Sequence, residues 1–155
     1  AVVRALNAPV HPLDFRATVQ ELRETLASYQ EAAEGHFDFS PALREAETLQ
    51  VVLDRFYEST TGLSSRPISD NELRAANATL RAIGRRLVTL NFARADRFRH
   101  DPAVPMPPLP DLAPARQLAS ADHVMRGFIQ AHLVRGQNRV IWTLRAAAQI
   151  AGGLE

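Results

Sequence analysis

Apolar residues recur along most of the chain at alternating steps of three and four, which places them on one face of an α-helix. The first such stripe consists of Phe15, Val19, Leu22, Leu26, Tyr29 and Ala33. Asp14 can cap the start of this helix, and Gly35 can supply the left-handed residue at its end. The pattern predicts a first helix of about 20 residues.

Two further stripes predict a second and a third helix. The second stripe is Ala42, Ala46, Leu49, Leu53 and Phe56, and the third is Leu73, Ala76, Leu80, Ile83, Leu87 and Leu90. Ser40 followed by Pro41 is typical of a helix start, and Thr60–Gly62 predicts the end of that helix. Ser69 and Glu72 have the spacing of a capping box, which predicts the start of the third helix.

Six prolines between Asp101 and Pro114 exclude a helix interior and predict an extended connector. Ser120 can then cap a last helix that runs to about Ala151, the longest element. The apolar positions of this last helix cover more of its circumference than one stripe does, which predicts that two of its sides are buried. The predicted fold class is therefore all-α: a four-helix bundle with a long proline-rich connector before a long last helix.

Composition narrows the possible chemistry. The chain has 25 Ala and 18 Leu, which disfavours an all-β fold, and it has neither Cys nor Lys. Thiolate nucleophiles, Schiff-base lysines and P-loop lysines are therefore excluded. None of the five histidines lies four residues from another, so we expect no metal site. The chain also has no Gly-x-Ser-x-Gly elbow and no glycine-rich phosphate loop, so we expect no catalytic residue and no cofactor in it. A formal net charge of +1 argues against nucleic acid as a partner, and no stretch predicts membrane contact.

The strongest concentration of basic and aromatic residues precedes the prolines. Arg94, Arg97 and Arg99 alternate there with Phe92, Phe98 and His100. Guanidinium groups bind carboxylates or phosphates through paired hydrogen bonds, so this run is a candidate site for an anion. Asp96 and Asp101 lie in the same run and can pair with the arginines, which makes a solvated loop the other interpretation.

Three segments resemble the C-terminal helical domain of M28-family metallopeptidases, the group of glutamate carboxypeptidase II and the transferrin receptor. The opening Asn7–Phe15 is similar to the step by which that family leaves its catalytic domain, although Pro12-Leu13-Asp14 departs from the usual Leu-Pro-Phe-Asp at one position. Asn91–Pro102, with the prolines that follow, is similar to the irregular loop before the last helix. Leu133–Leu154, which contains Gln137-Asn138-Arg139-Val140, is similar to the closing helix.

The resemblance implies a transferrin-receptor-like dimerisation domain. Residues 1–12 would be an extended segment left from an upstream domain, which the opening at Ala1 without Met also favours, and residues 13–155 the helical domain. The partners expected are a second copy of the chain and the upstream peptidase domain of the same polypeptide. That absent domain would hold two zinc ions, so this fragment is expected to be inactive and its parent to be a secreted or cell-surface amino- or carboxypeptidase.

The resemblance and the helical pattern together give two sets of candidate residues. Arg97, Arg99 and His100 are candidates for the parent's substrate pocket, although the family has a Lys-Tyr pair where Arg99 and His100 stand. Candidates for a homodimer interface are the apolar residues of the last helix: Phe128, Ile129, Val140, Ile141, Trp142 and Leu144. The alternatives are a free-standing helical module that binds an anionic ligand through its Arg-rich loop, and a small enzyme.

Overall fold

The computed structural model of the chain describes residues 10–63, 69–91 and 106–153. Within these ranges it has four α-helices, one 3₁₀ helix and no strand. The α-helices are α1 (Arg16–Ala32), α2 (Ser40–Leu63), α3 (Asp70–Asn91) and α4 (His123–Ala151), and the 3₁₀ helix is Ala113–Gln117. The predicted all-α class with four helices is confirmed.

The start of α3 follows the sequence prediction. The backbone N–H of Ser69 donates to Oε2 of Glu72 at 3.0 Å, and the N–H of Glu72 donates to Oγ of Ser69 at 3.3 Å. This is the reciprocal geometry of a capping box. Gly35, beyond the end of α1, has the left-handed φ of 79° that the sequence predicted.

Other helix ends differ from the prediction. The N-cap position of α1 is Phe15 and not Asp14, but Oδ1 of Asp14 accepts from the backbone N–H of Arg16, the first residue of the helix, at 3.0 Å. Asp14 also binds the guanidinium of Arg16, and this hydrogen bond lowers the pKa of the Asp14 carboxyl. The predicted end of α2 at Thr60–Gly62 is early by one residue, because the helix includes these three residues and ends at Leu63. The hydroxyls of Ser59 and Thr60 donate to carbonyls three residues earlier, so these polar side chains are accommodated within the helix.

The helices stand in the order α1, α2, α4, α3 around the bundle. Polar contacts fix the relative directions of α4 and its neighbours. Gln137 of α4 contacts Asp38, which lies just before α2. The later residue Arg145 contacts Glu45 of α2, so α4 and α2 are parallel. On α3, Thr89 contacts Arg139, and the earlier residue Arg86 contacts the later residue Trp142, so α3 runs antiparallel to α4. The last helix therefore lies between α2 and α3.

The proline-rich stretch is not a simple extended connector where it is described. Leu109 and Leu112 are buried in the core, as are Ala115 and Leu118 in and after the 3₁₀ helix. The hydroxyl of Tyr29 donates to the carbonyl of Pro108 at 2.8 Å. The stretch packs because leucines alternate with its prolines, and Pro residues exclude helix without excluding burial.

The segment before α1 is tied to the bundle by hydrogen bonds. The N–H of His11 donates to Oδ1 of Asn77 on α3 at 2.7 Å. The hydroxyl of Tyr57 on α2 donates to the carbonyl of Leu13 at 2.8 Å and accepts from the N–H of Phe15 at 3.0 Å. Burial raises the pKa of Tyr57. Residues 10–15 thus follow the bundle surface in an ordered path.

None of the described helices combines the length and the apolarity that a membrane span requires.

Candidate interaction surface

The rotation of α4 about its own axis is fixed by side chains on both of its flanks. On the α2 side, Nε2 of Gln137 donates to the carbonyl of Asp38 at 2.8 Å, and Arg145 binds Glu45 at 2.6 Å. That hydrogen bond raises the pKa of Arg145. These contacts hold one flank of α4 against α2.

On the opposite flank, Arg139 connects α4 to two other parts of the chain. Its Nη1 donates to Oδ2 of Asp111 at 2.5 Å, and its Nη2 donates to the carbonyl of Thr89 at 2.7 Å. A guanidinium with its donors aimed at two elements fixes both of them. Which side of α4 faces away from the bundle is therefore defined.

The outward side of α4 is rich in apolar groups. Among the described residues eight large apolar side chains are exposed, and five of them lie on this helix: Val124, Met125, Phe128, Val134 and Trp142. Phe128 is 69% exposed and Trp142 is 61% exposed. Clustered exposed apolar groups on one element mark an interaction site more often than scattered ones do.

Six exposed residues follow one line along this side, at steps of four and three. We call them the α4 stripe: Val124, Phe128, Ala131, Arg135, Asn138 and Trp142. The helix begins at His123, and Oδ1 of Asp122 accepts from the N–H of Met125 at 2.8 Å. The cap predicted at Ser120 is thus wrong by two residues. Asp122 orders the first turn, and so it also orders the apolar end of the stripe.

Two features flank the stripe. The guanidinium of Arg86 lies 5.2 Å from the centroid of the Trp142 ring, a cation–π contact that leaves most of the ring exposed. Beside Phe128 is an open groove of about 550 Å³ between α4 and the 3₁₀ segment, lined by Asp111, Pro114, Gln117, Phe128, Ile129 and His132.

The six predicted interface residues divide into two groups. Phe128 and Trp142 are exposed on the α4 stripe, and Ile141 is half-buried. Ile129, Val140 and Leu144 are buried in the core of the bundle, at 7%, 3% and 0% exposure. Because their side chains pack against the chain's own helices, these three residues stabilise the monomer and offer no surface to a partner.

The predicted pocket residues Arg97, Arg99 and His100 lie outside the described residues. Within the described ranges no group of three His, Asp or Glu side chains has the geometry of a metal site.

Three exposed apolar residues of α4 were not among the predicted interface residues: Val124, Met125 and Val134. Val124 carries a usable signal, because it lies four residues before Phe128 and continues the line of the stripe. Met125 carries none, because its position on the helix is closer to the core face than to the stripe, although its side chain is 53% exposed.

No family profile, curated protein or solved structure compared with this chain matches it.

Proposed function

We propose that this chain is a homodimerisation module that pairs through the outward side of α4. The observation that carries the proposal is the concentration of exposed apolar side chains on that one helix, with Phe128 and Trp142 the most prominent. Burying such groups against a second copy removes apolar surface from water, which is the main driving force of association. Aromatic residues also contribute most often to interface hot spots.

The proposed setting is the C-terminal helical domain of an M28-type zinc exopeptidase. The support is the resemblance of Asn7–Phe15 and Leu133–Leu154 to that family, together with a helical architecture. In this setting the peptidase domain holds the two zinc ions and performs the hydrolysis. The helical domain pairs two such enzymes, and Arg97, Arg99 and His100 contribute to the substrate pocket.

The stripe alone predicts a weak dimer. Six residues on each of two helices cover less than the total of about 1,600 Å² that is usual for a stable interface. The isolated chain is therefore expected to dimerise only at high concentration. Val134, which is 48% exposed on the same helix, would extend the buried area.

The first prediction is a concentration-dependent dimer that Phe128→Glu and Trp142→Glu weaken. Either change places a carboxylate in a surface that must lose water on association, and loss of an interface hot spot costs about 2 kcal/mol or more, which is about 30-fold in Kd. Sedimentation equilibrium from micromolar to millimolar concentration measures the dissociation constant.

Val51→Glu is the matched control, because Val51 is 51% exposed on α2 and is not part of the α4 surface. Circular dichroism checks that all three variants fold. A wild-type chain that stays monomeric at millimolar concentration would overturn the proposal. Equal dissociation constants for the three variants would show that the dimer pairs through another surface, and would overturn the proposed role of α4.

A further inference from the structure

The α4 stripe is symmetric about its own midpoint. Its steps of 4, 3, 4, 3 and 4 read the same in both directions, and the midpoint falls at the level of Leu133. In an antiparallel pair centred there, Val124 lies opposite the partner's Trp142, and Phe128 lies opposite the partner's Asn138. Each large ring thus meets a smaller side chain, and near the centre the small Ala131 lies opposite the partner's longer Arg135.

Charge also distinguishes the two possible orientations. From His123 to Gly153 the chain has four arginines and no acidic residue, so two copies of α4 repel unless their charges are offset. Arg126, Arg139 and Arg145 bind groups of their own chain, which leaves Arg135 on the stripe. A parallel pair puts Arg135 directly opposite the partner's Arg135. The antiparallel pair puts it opposite the partner's Ala131 and offsets the two Arg135 residues by about 6 Å along the axis.

The helix macrodipoles favour the same orientation. Antiparallel pairing aligns the two macrodipoles in opposite directions, which is the favourable arrangement for helices side by side. A parallel pair lacks this advantage.

Resting on the proposed dimer, we infer that two copies pair through their α4 stripes in antiparallel orientation, with the two-fold axis at the level of Leu133. The partner of this surface is a second copy of the same stripe. Each copy contributes Val124, Phe128 and Trp142 as its apolar contacts. Ala131 and Arg135 of each copy, both two residues from Leu133, lie nearest the axis.

Cysteine cross-linking tests this geometry cleanly because the chain has no cysteine of its own. At 1.5 Å per residue, the antiparallel pair separates Val124 from its symmetry mate by about 27 Å along the axis, Asn138 from its mate by about 15 Å, and Ala131 from its mate by about 6 Å. Val124 and the partner's Asn138 are separated by about 6 Å along the same axis. A bismaleimide with a reach of about 8 Å matches the spacing of packed helices.

The second prediction is a specific pattern of cross-linked dimers. Ala131→Cys links to itself, Val124→Cys alone and Asn138→Cys alone do not, and an equimolar mixture of the last two gives the mixed product. Ser28→Cys, on the exposed side of α1, is the control for random collision. The yield of cross-linked dimer at the expected positions should exceed that of this control about tenfold, because a bound pair raises the effective concentration of the thiols. Light scattering on the same samples records whether each variant dimerises.

The possible outcomes separate this inference from the proposed function. Self-linking of all three stripe variants would show a parallel pair and overturn the inference while leaving dimerisation intact. Dimers by light scattering with no stripe cross-link above the Ser28→Cys control would also overturn it, since the interface would then lie elsewhere. A wild-type chain that never dimerises would overturn the proposed function itself, and the inference with it.

Discussion

Two glycines of α4 each follow an arginine but have opposite surroundings. Gly127 is exposed, and a Cβ added there would have nothing within 4 Å. Gly136 is buried, and a Cβ there would lie 2.9 Å from Cδ2 of Leu112 and 3.1 Å from the carbonyl oxygen of Asp111. The sequence assigns both the same cost, about 1 kcal/mol against Ala in a helix interior. Only the second glycine has a packing reason, because it lets residues 111–112 approach the helix.

The third prediction is that Gly127→Ala and Gly136→Ala change stability in opposite directions. Gly127→Ala should raise the free energy of unfolding by about 0.5–1 kcal/mol through helix propensity. Gly136→Ala should lower it by about 1–3 kcal/mol, because a backbone oxygen cannot yield as a flexible side chain does. Urea unfolding at low protein concentration, where the chain is monomeric, measures both. Stabilisation by Gly136→Ala would contradict the close packing described for residues 111–112.

At the scale of the element, the start of α4 distinguishes two candidate caps. The sequence favours Ser120, whose hydroxyl instead donates to the carbonyl of Gln117 at 3.3 Å. Asp122 has the extended backbone of an N-cap and accepts from Met125. Both residue types are good caps, and the apolar pattern fixes a helix start only to within a turn.

The fourth prediction is that Asp122→Ala lowers the free energy of unfolding by about 1 kcal/mol, the usual cost of losing a helix cap. Ser120→Ala, the matched change at the other candidate, should alter it by less than about 0.5 kcal/mol. Thermal and urea unfolding of the two variants give the comparison. Equal losses, or the larger loss at Ser120, would show that the helix starts where the sequence indicates.

The sequence predicts the helices well because each helix buries one face, and the apolar residues of that face therefore recur at steps of three and four. Leu22, Leu49 and Leu80, one from each of the first three stripes, are all fully buried. The same pattern could not separate the two roles on α4, where Leu144 faces the core and Trp142 faces out. Both are large apolar residues, and which side is covered depends on where α2 and α3 stand. The pairing order of the helices depends on tertiary packing, which no stripe encodes.

At the scale of the whole molecule, charge is divided between two halves of the bundle. Residues 10–63, which include α1 and α2, have ten acidic residues and four arginines, a net charge of −6. The described residues from Ser69 to Gly153, which include α3 and α4, have nine arginines and four acidic residues, a net charge of +5. The near-neutral total hides this division, and the Arg145–Glu45 pair joins the two halves directly.

The fifth prediction is that added salt destabilises the monomer. The two halves attract each other across the bundle, and the Debye length shortens from about 30 Å at 0.01 M to about 10 Å at 0.1 M ionic strength. The free energy of unfolding should fall by on the order of 1 kcal/mol over that range. Sodium chloride and potassium chloride should act equally if screening is the cause. Stability that rises with either salt would contradict attraction between the halves.

The position of α4 between α2 and α3 has a consequence for biosynthesis. Its contacts reach far back along the chain: Gln137 lies 99 residues from Asp38, and Arg145 lies 100 residues from Glu45. On the ribosome, α1, α2 and α3 are made before the helix that covers two of them. Until His123 and the residues after it emerge, the apolar faces of α2 and α3 that α4 covers in the folded chain are exposed to solvent. This is the kind of surface that chaperones bind and through which incomplete chains aggregate.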